Sequence, residues 1–153
     1  VPPLQVTFGV HGELGDVPAD IATPLAVVLA ELLQNAVEHA FLGTKVGGAA
    51  ASEAVGDRDR EADCTDRPVA SVGHIDVNLD CRLSRLIVEV RDDGAGLPDS
   101  FDIDLTQSLG LSIVRDLVRS QLGGTITMSA QPGGHSGTVV VLDVPLEHPR
   151  PLR

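Results

Sequence analysis

Apolar and polar positions alternate along Leu4-Gln5-Val6-Thr7-Phe8-Gly9-Val10, the period-2 pattern of a half-buried strand. A turn-rich stretch, Gly12 to Asp20, follows. Spacing then becomes helical, with Leu25, Val28, Leu29, Leu32, Ala36, Val37 and Ala40 on recurring turns. Thr23-Pro24 reads as an N-cap followed by proline at the first helical position, so the predicted helix runs from Pro24 to Leu42 and ends at Gly43. Gly43 to Ser71 has no such period. Its Gly47-Gly48-Ala49-Ala50-Ala51-Ser52 run and charged Asp57-Arg58-Asp59-Arg60-Glu61 run offer little to bury, which predicts a mobile, disordered insertion at 43–71.

Val72–Leu79 and Leu83–Val90 alternate again and predict a hairpin turning at Asp80-Cys81-Arg82. A loop rich in Gly and Asp runs from Asp92 to Gln107. A second helix is predicted over Leu109–Leu122, stopped by Gly123-Gly124. Two last strands, Thr125–Ala130 and Thr138–Val144, flank a turn at Gln131-Pro132-Gly133-Gly134. A Pro/Arg-rich tail occupies 148–153. There is no internal repeat. Adjacent strands in pairs favour an α+β two-layer sandwich over a doubly wound parallel fold. The expectation is one domain over 1–147, with a mixed, mostly antiparallel sheet covered by helices on one face.

Composition narrows the function. The chain has 153 residues, 42% hydrophobic and 22% charged, which suits one globular domain. Its 22 acids against 11 bases give net −11, and Lys45 is the sole lysine. No basic footprint for nucleic acid exists, and three Phe make no base-stacking platform. No apolar run approaches the roughly 20 residues of a membrane span, and no signal peptide opens the chain. Cys64 and Cys81 make no disulfide framework, and the reduced state is expected. These features read as a cytoplasmic protein or, given the start at Val1, a piece of one.

Four segments carry candidate chemistry. Glu31, Asn35 and Glu38 recur at i, i+4 and i+7, one stripe of the first helix. Such a stripe can hold a hydrated Mg²⁺ or orient a nucleophile; it can also be a solvated helix face. Asp92-Asp93-Gly94-Ala95-Gly96 follows a strand, where a carboxylate can accept from an exocyclic amine; an ordinary Asp/Gly turn has the same composition. Ser108-Leu109-Gly110-Leu111 opens the second helix, as a phosphate site or a plain N-cap. Gly133-Gly134-His135-Ser136-Gly137-Thr138 precedes the last strand and suits a tight turn.

The order and spacing of these four segments resemble the ATP-binding catalytic domain of two-component sensor histidine kinases, within the Bergerat-fold group that includes DNA gyrase, Hsp90 and MutL. Glu31-Leu32-Leu33-Gln34-Asn35-Ala36-Val37-Glu38-His39-Ala40 is similar to the N box, Asp92–Gly96 to the G1 box, and Gly110-Leu111-Ser112-Ile113-Val114 to the G2 box. Gly137-Thr138 matches the small-residue turn before the last strand. The Asn-Ala-Val-Glu-His form of the N box resembles soluble actinobacterial kinases that signal to antiterminator-type response regulators.

The resemblance implies roles. Asn35 would ligate Mg²⁺ on the ATP phosphates, and Glu31 would either stand behind the ion's ligands or help polarise the phosphoacceptor. Asp92 would accept from the adenine amine, with Gly94 and Gly96 letting the backbone close on the base. Ser108, Gly110 and Leu111 would meet the phosphates, and Thr138 would lie beside Asp92. Residues 97–109 would form a lid that excludes water.

Departures are visible. Glu38 stands where many members have Lys, His39 where Tyr is common, and Ser108 where G2 usually begins with Gly. The lid carries Asp99, Asp102 and Asp104 but no Lys or Arg, which leaves Mg²⁺, backbone amides, His39 and Arg115 to meet phosphate charge.

None of His11, His39, His74, His135 and His148 stands in a helical hairpin, so no phosphoacceptor is expected here. The implied partners are a phosphoacceptor hairpin of the same full-length kinase and a response regulator. The full-length protein would be a homodimer and this domain a monomer, with no nucleic acid and no membrane. An anti-sigma-factor serine kinase of the same fold, or a degenerate nucleotide-binding regulatory module, are the alternatives.

Overall fold

The computed structural model describes residues 5–38 and 72–147. The expected insertion at 43–71, the helix end at Leu42, His39, Cys64 and the 148–153 tail lie outside the described residues. In chain order the elements are β1 (Gln5–Gly12), α1 (Ala19–Asn35), β2 (Val72–Arg82), β3 (Arg85–Asp92), α2 (Leu109–Ser120), β4 (Thr125–Ala130) and β5 (Thr138–Pro145).

The strands form one sheet in the order β1-β2-β3-β5-β4. β1 runs parallel to β2, and every other pair is antiparallel. A parallel pair cannot be joined by a tight turn and needs a long crossover, and α1 lies in that crossover. Period-2 alternation gives the sheet two unlike faces. Ile75 and Val77 of β2, Leu86, Val88 and Val90 of β3, and Val140, Leu142 and Val144 of β5 point to the buried side. They meet Ile21, Leu25, Val28 and Leu32 of α1, and Leu111, Val114 and Val118 of α2, in one core. The expected two-layer α+β fold is therefore present, with both helices on one face of a mostly antiparallel sheet.

Several features differ from the sequence pattern. First, α1 starts at Ala19 rather than Pro24, with Pro18 rather than Thr23 in the N-cap position. The Ile21 and Ala22 N–H groups donate to the Pro18 carbonyl at 3.0 and 2.8 Å. Pro24 thus sits inside the helix and cannot donate to the Asp20 carbonyl. Burial of Ile21 and Leu25 on the same face, about 1.5–3 kcal/mol each, offsets that lost bond of about 1 kcal/mol.

Second, the early start lengthens the apolar helix. Ala19–Glu38 reaches membrane-spanning length by composition, with mean hydropathy 1.3, contrary to the expectation that no segment does. Its apolar stripe is the core face: Ile21 and Val28 are fully buried against the sheet.

Third, the hairpin turns at Leu83-Ser84, not at Asp80-Cys81-Arg82. Backbone pairing continues to Arg82↔Arg85 whatever the side chains' polarity, so the pattern alone marks the turn too early. Leu83 sits at φ 51, a left-handed conformation uncommon outside glycine. At the other end of the fold, α2 stops at Ser120, two residues before the expected Leu122, and Gly123 at φ 61 turns the chain into β4.

Leu142 is fully buried and Leu105 is 78% exposed. Leu142→Ala is expected to lower unfolding free energy by about 2–5 kcal/mol. Leu105→Ala should stay within about 0.5 kcal/mol. Urea denaturation of both variants checks the contrast.

Candidate functional site

Asp92 continues the inward row Leu86, Val88, Val90, so strand periodicity turns a carboxylate toward the apolar side of the sheet. The β3–β5 register pairs it with Thr138. These two are the buried polar residues among the described positions. Asp92 Oδ1 accepts from the Gly94 N–H at 3.0 Å and the Thr138 N–H at 3.3 Å. Burial pushes the Asp92 carboxyl above its ordinary value, and those two N–H groups hold it back in part. The neighbouring Asp93 faces the other way, its Oδ1 accepting from the His74 N–H at 2.8 Å. The acid doublet thus divides into one inward and one outward side chain.

Asp92 lines a cavity of about 280 Å³ between α1, the sheet and the 93–108 loop. Asn35, Gly96, Ser108, Leu111 and Thr138 share its wall. Six of the positions expected from the sequence therefore meet in one place. The apolar lining of Leu32, Val90, Leu97, Phe101, Met128 and Val140 was not anticipated. Part of it was legible: Val90 precedes Asp92, and Val140 follows Thr138, by one strand period.

The remaining expected residues serve the wall from behind. Gly94 supplies an N–H to Asp92. Glu31 lies one helical turn before Asn35, facing the start of α2. A Cβ at Gly110 would stand 2.8 Å from Glu31 Oε2, 3.6 Å from Asn35 Nδ2 and 3.9 Å from Asn35 Oδ1. Glycine at that place lets the α2 N-terminus approach both side chains. Ser108 caps α2, its Oγ accepting from the Leu111 N–H at 3.5 Å. The other N–H groups of the first turn lack intrahelical acceptors and carry the positive end of the helix dipole.

Asn35 Nδ2 is the one buried side-chain polar atom among the described residues without a hydrogen-bond partner. Leaving such a group unpaired costs about 1–3 kcal/mol, which marks the position as a candidate for a bound partner. The chain widens to a π-type turn over 36–38 directly after Asn35, a local geometry frequent at functional sites.

The stripe on α1 splits. Glu31 and Asn35 face α2, whereas exposed Glu38 accepts from Gln34 Nε2 at 3.0 Å. Arg115 does not line the cavity. Its guanidinium donates to the Ile103 and Asp104 carbonyls at 3.5 and 3.3 Å and to Asp116 at 3.0 Å. Arg119 pairs with Asp104 at 2.5 Å and holds that carboxyl below its usual range. Both arginines anchor the loop to α2.

The chain belongs to the family of Histidine kinase-, DNA gyrase B-, and HSP90-like ATPases, which it matches over residues 20–148. It is an ATP-binding domain of the sensor histidine kinase type. It is 36% identical over 135 residues to the sensor histidine kinase PdtaS of Mycobacterium tuberculosis, a match covering 88% of this chain and 22% of that protein. The chain therefore spans about a fifth of the length of PdtaS. Among solved structures, the histidine kinase domain of the Erythrobacter litoralis EL346 blue-light activated histidine kinase superposes with a TM-score of 0.64. That match has 27% identity and covers 92% of this chain and 55% of that one. Histidine kinase ThkA, solved in complex with response regulator protein TrrA, shares the fold at a TM-score of 0.61 and 21% identity. That match covers 93% of this chain and 34% of that one.

Burial makes the native state bind the Asp92 proton more tightly than the unfolded chain, whose ordinary value is 3.8. Stability therefore falls as pH rises through the window between 3.8 and the native pKa, and the buried charge is a full cost above it. Asp92→Asn is expected to raise the thermal midpoint at pH 7. The gain should vanish as pH drops below that window, as read by calorimetric scans across pH.

Proposed function

We propose that this chain is the catalytic domain of a cytoplasmic sensor histidine kinase. It would bind Mg-ATP and supply the γ-phosphoryl to a histidine on a separate dimerisation hairpin of the same kinase. A response regulator then takes the phosphoryl group. The observation that carries this reading is convergence: Asn35 from α1, Asp92 from β3, Ser108 and Leu111 from α2 and Thr138 from β5 line one cavity.

In this reading the apolar wall takes the adenine ring. Asp92 accepts from its exocyclic amine, because a carboxylate has about four acceptor sites and two protein N–H groups occupy only part of them. The α2 N-terminus meets the phosphates. Asn35 would hold Mg²⁺, with Glu31 one helical turn behind it. The fit rests on the carbonyl oxygen of the Asn35 side chain, a hard ligand in the cavity wall, and on the close approach of the α2 N-terminus at Gly110; the unpartnered Nδ2 is a donor and suits a phosphate oxygen. Bound Mg²⁺ supplies neutralising charge to the phosphates. Glu31 orients the incoming imidazole, whose nitrogen forms the new bond to phosphorus as ADP leaves. Transfer then depends on positioning and charge neutralisation. His39 adjoins this end of α1 in sequence and is proposed to contact phosphate.

The kinship with PdtaS, a sensor histidine kinase, supports the kinase reading. The wider assembly is proposed to be a homodimeric kinase with this domain, over residues 1–147, monomeric, signalling to an antiterminator-type regulator. Residues 43–71 are proposed to be an insertion outside the pocket. One observation favours a module that binds without transfer: the lid's Asp99, Asp102 and Asp104 have no Lys or Arg among them.

Calorimetric titration with ADP and a non-hydrolysable ATP analogue, with and without Mg²⁺, tests the reading. Asp92→Asn should weaken binding at least about tenfold. Asn35→Ala should abolish the tightening by Mg²⁺. Incubation of the full-length kinase with labelled ATP should give a phosphohistidine; binding without it selects the regulatory module. Deleting residues 47–68 should leave nucleotide affinity within about twofold, and a larger loss would put the insertion in the pocket.

A further inference from the structure

The turn between β4 and β5 does more than join two strands. Gln131 Nε2 donates to the Asp92 carbonyl at 2.8 Å, across 39 residues of sequence. The Gln131 N–H donates to the Gly137 carbonyl at 3.0 Å, which closes the turn on itself. The Ser136 hydroxyl donates to the Gly94 carbonyl. Gly137 sits at φ 122, and a Cβ there would overlap the Asp92 carbonyl oxygen. The turn therefore touches the backbone of Asp92 and Gly94 at three points, while Thr138 reaches the Asp92 carboxylate.

We propose that Gln131 and Ser136 are positioning residues that clasp the Asp92–Gly94 backbone and so set the selectivity of the pocket for a purine bearing an exocyclic amine. The proposal rests on the adenine reading of Asp92. Its physical basis is orientation. A carboxylate distinguishes an amine from a ring carbonyl only if its acceptor oxygen stands where the amine will be. Asp92 is the last residue of β3, paired with Ile75 and Thr138, and Asp93 is still held at His74; Gly94 follows with no ladder partner and with the backbone freedom of glycine. The Gln131 and Ser136 bonds remove that freedom at the two carbonyls flanking the carboxylate. Neither side chain lines the cavity, so neither touches the ligand itself.

The test compares ADP with inosine diphosphate, whose base carries oxygen in place of the amine. Titrations use the whole 153-residue chain with Mg²⁺, as wild type, Gln131→Met, Ser136→Ala and Ser136→Thr. Wild type should prefer ADP. Gln131→Met and Ser136→Ala should each weaken ADP about tenfold, with inosine diphosphate changed less than about twofold, so the preference collapses. The Mg²⁺-dependent gain should persist, and Ser136→Thr, which keeps the hydroxyl, should retain the preference. A lowered thermal midpoint with an unchanged preference would overturn the proposal, because these residues would then merely stabilise the turn. A wild type that binds both nucleotides equally would overturn the adenine reading itself, and the clasp with it.

Discussion

The structure turns on the pairing of β3 with β5. That register puts Asp92 opposite Thr138 at the end of two central strands, on the face the helices cover. A shift by one residue would send every inward side chain of β3 to solvent. The same alternation that builds the core with Leu86, Val88 and Val90 therefore delivers a carboxylate to the pocket. Core and site are one construction, and the site is the point where the apolar row ends in a charge. Burial makes that charge costly, and the N–H groups of Gly94 and Thr138, with the Thr138 hydroxyl, offset it in part.

The second wall depends on how closely the two helices approach. α1 and α2 pack through Leu25, Val28, Leu111 and Val114, and Gly110 removes the side chain that would hold them apart at the site. The α2 N-terminus then faces Glu31 and Asn35. A helix dipole, an unpartnered amide and a carboxylate at one edge of a cavity suit an anionic ligand that brings a cation with it. Histidine kinase-, DNA gyrase B-, and HSP90-like ATPases are the family to which the chain belongs.

The acidic balance of the chain, net −11, appears locally in the loop over the cavity. Asp104 is tied to Arg119, and Arg115 is turned to the carbonyls of Ile103 and Asp104. Arg115, the sequence candidate for phosphate, instead joins Arg119 in holding the loop to α2. Buried Ile103 adds an apolar anchor at the same place. The pocket wall formed by Leu97, Phe101 and Thr106 is thus fastened from its outer side.

Periodicity in the sequence determined most elements, because residues that face a core must recur at the period of the backbone they sit on. β4 coincides with the predicted segment, and the apolar spacing of α1 and α2 names their buried faces. Pro24 misled the start of α1, since local proline preference was outweighed by burial of Ile21 from a turn earlier. The strand ends at Leu83-Ser84 were hidden because ladder hydrogen bonds do not depend on side-chain polarity. The N-box, G1 and G2 residues were legible as motifs, yet their meeting was not. Asn35 and Asp92 touch one cavity only because the sheet register and helix packing carry them there, and the roles of Gln131 and Ser136 exist only across that long-range contact. Local pattern records which face a residue takes; only tertiary packing decides which distant face it meets.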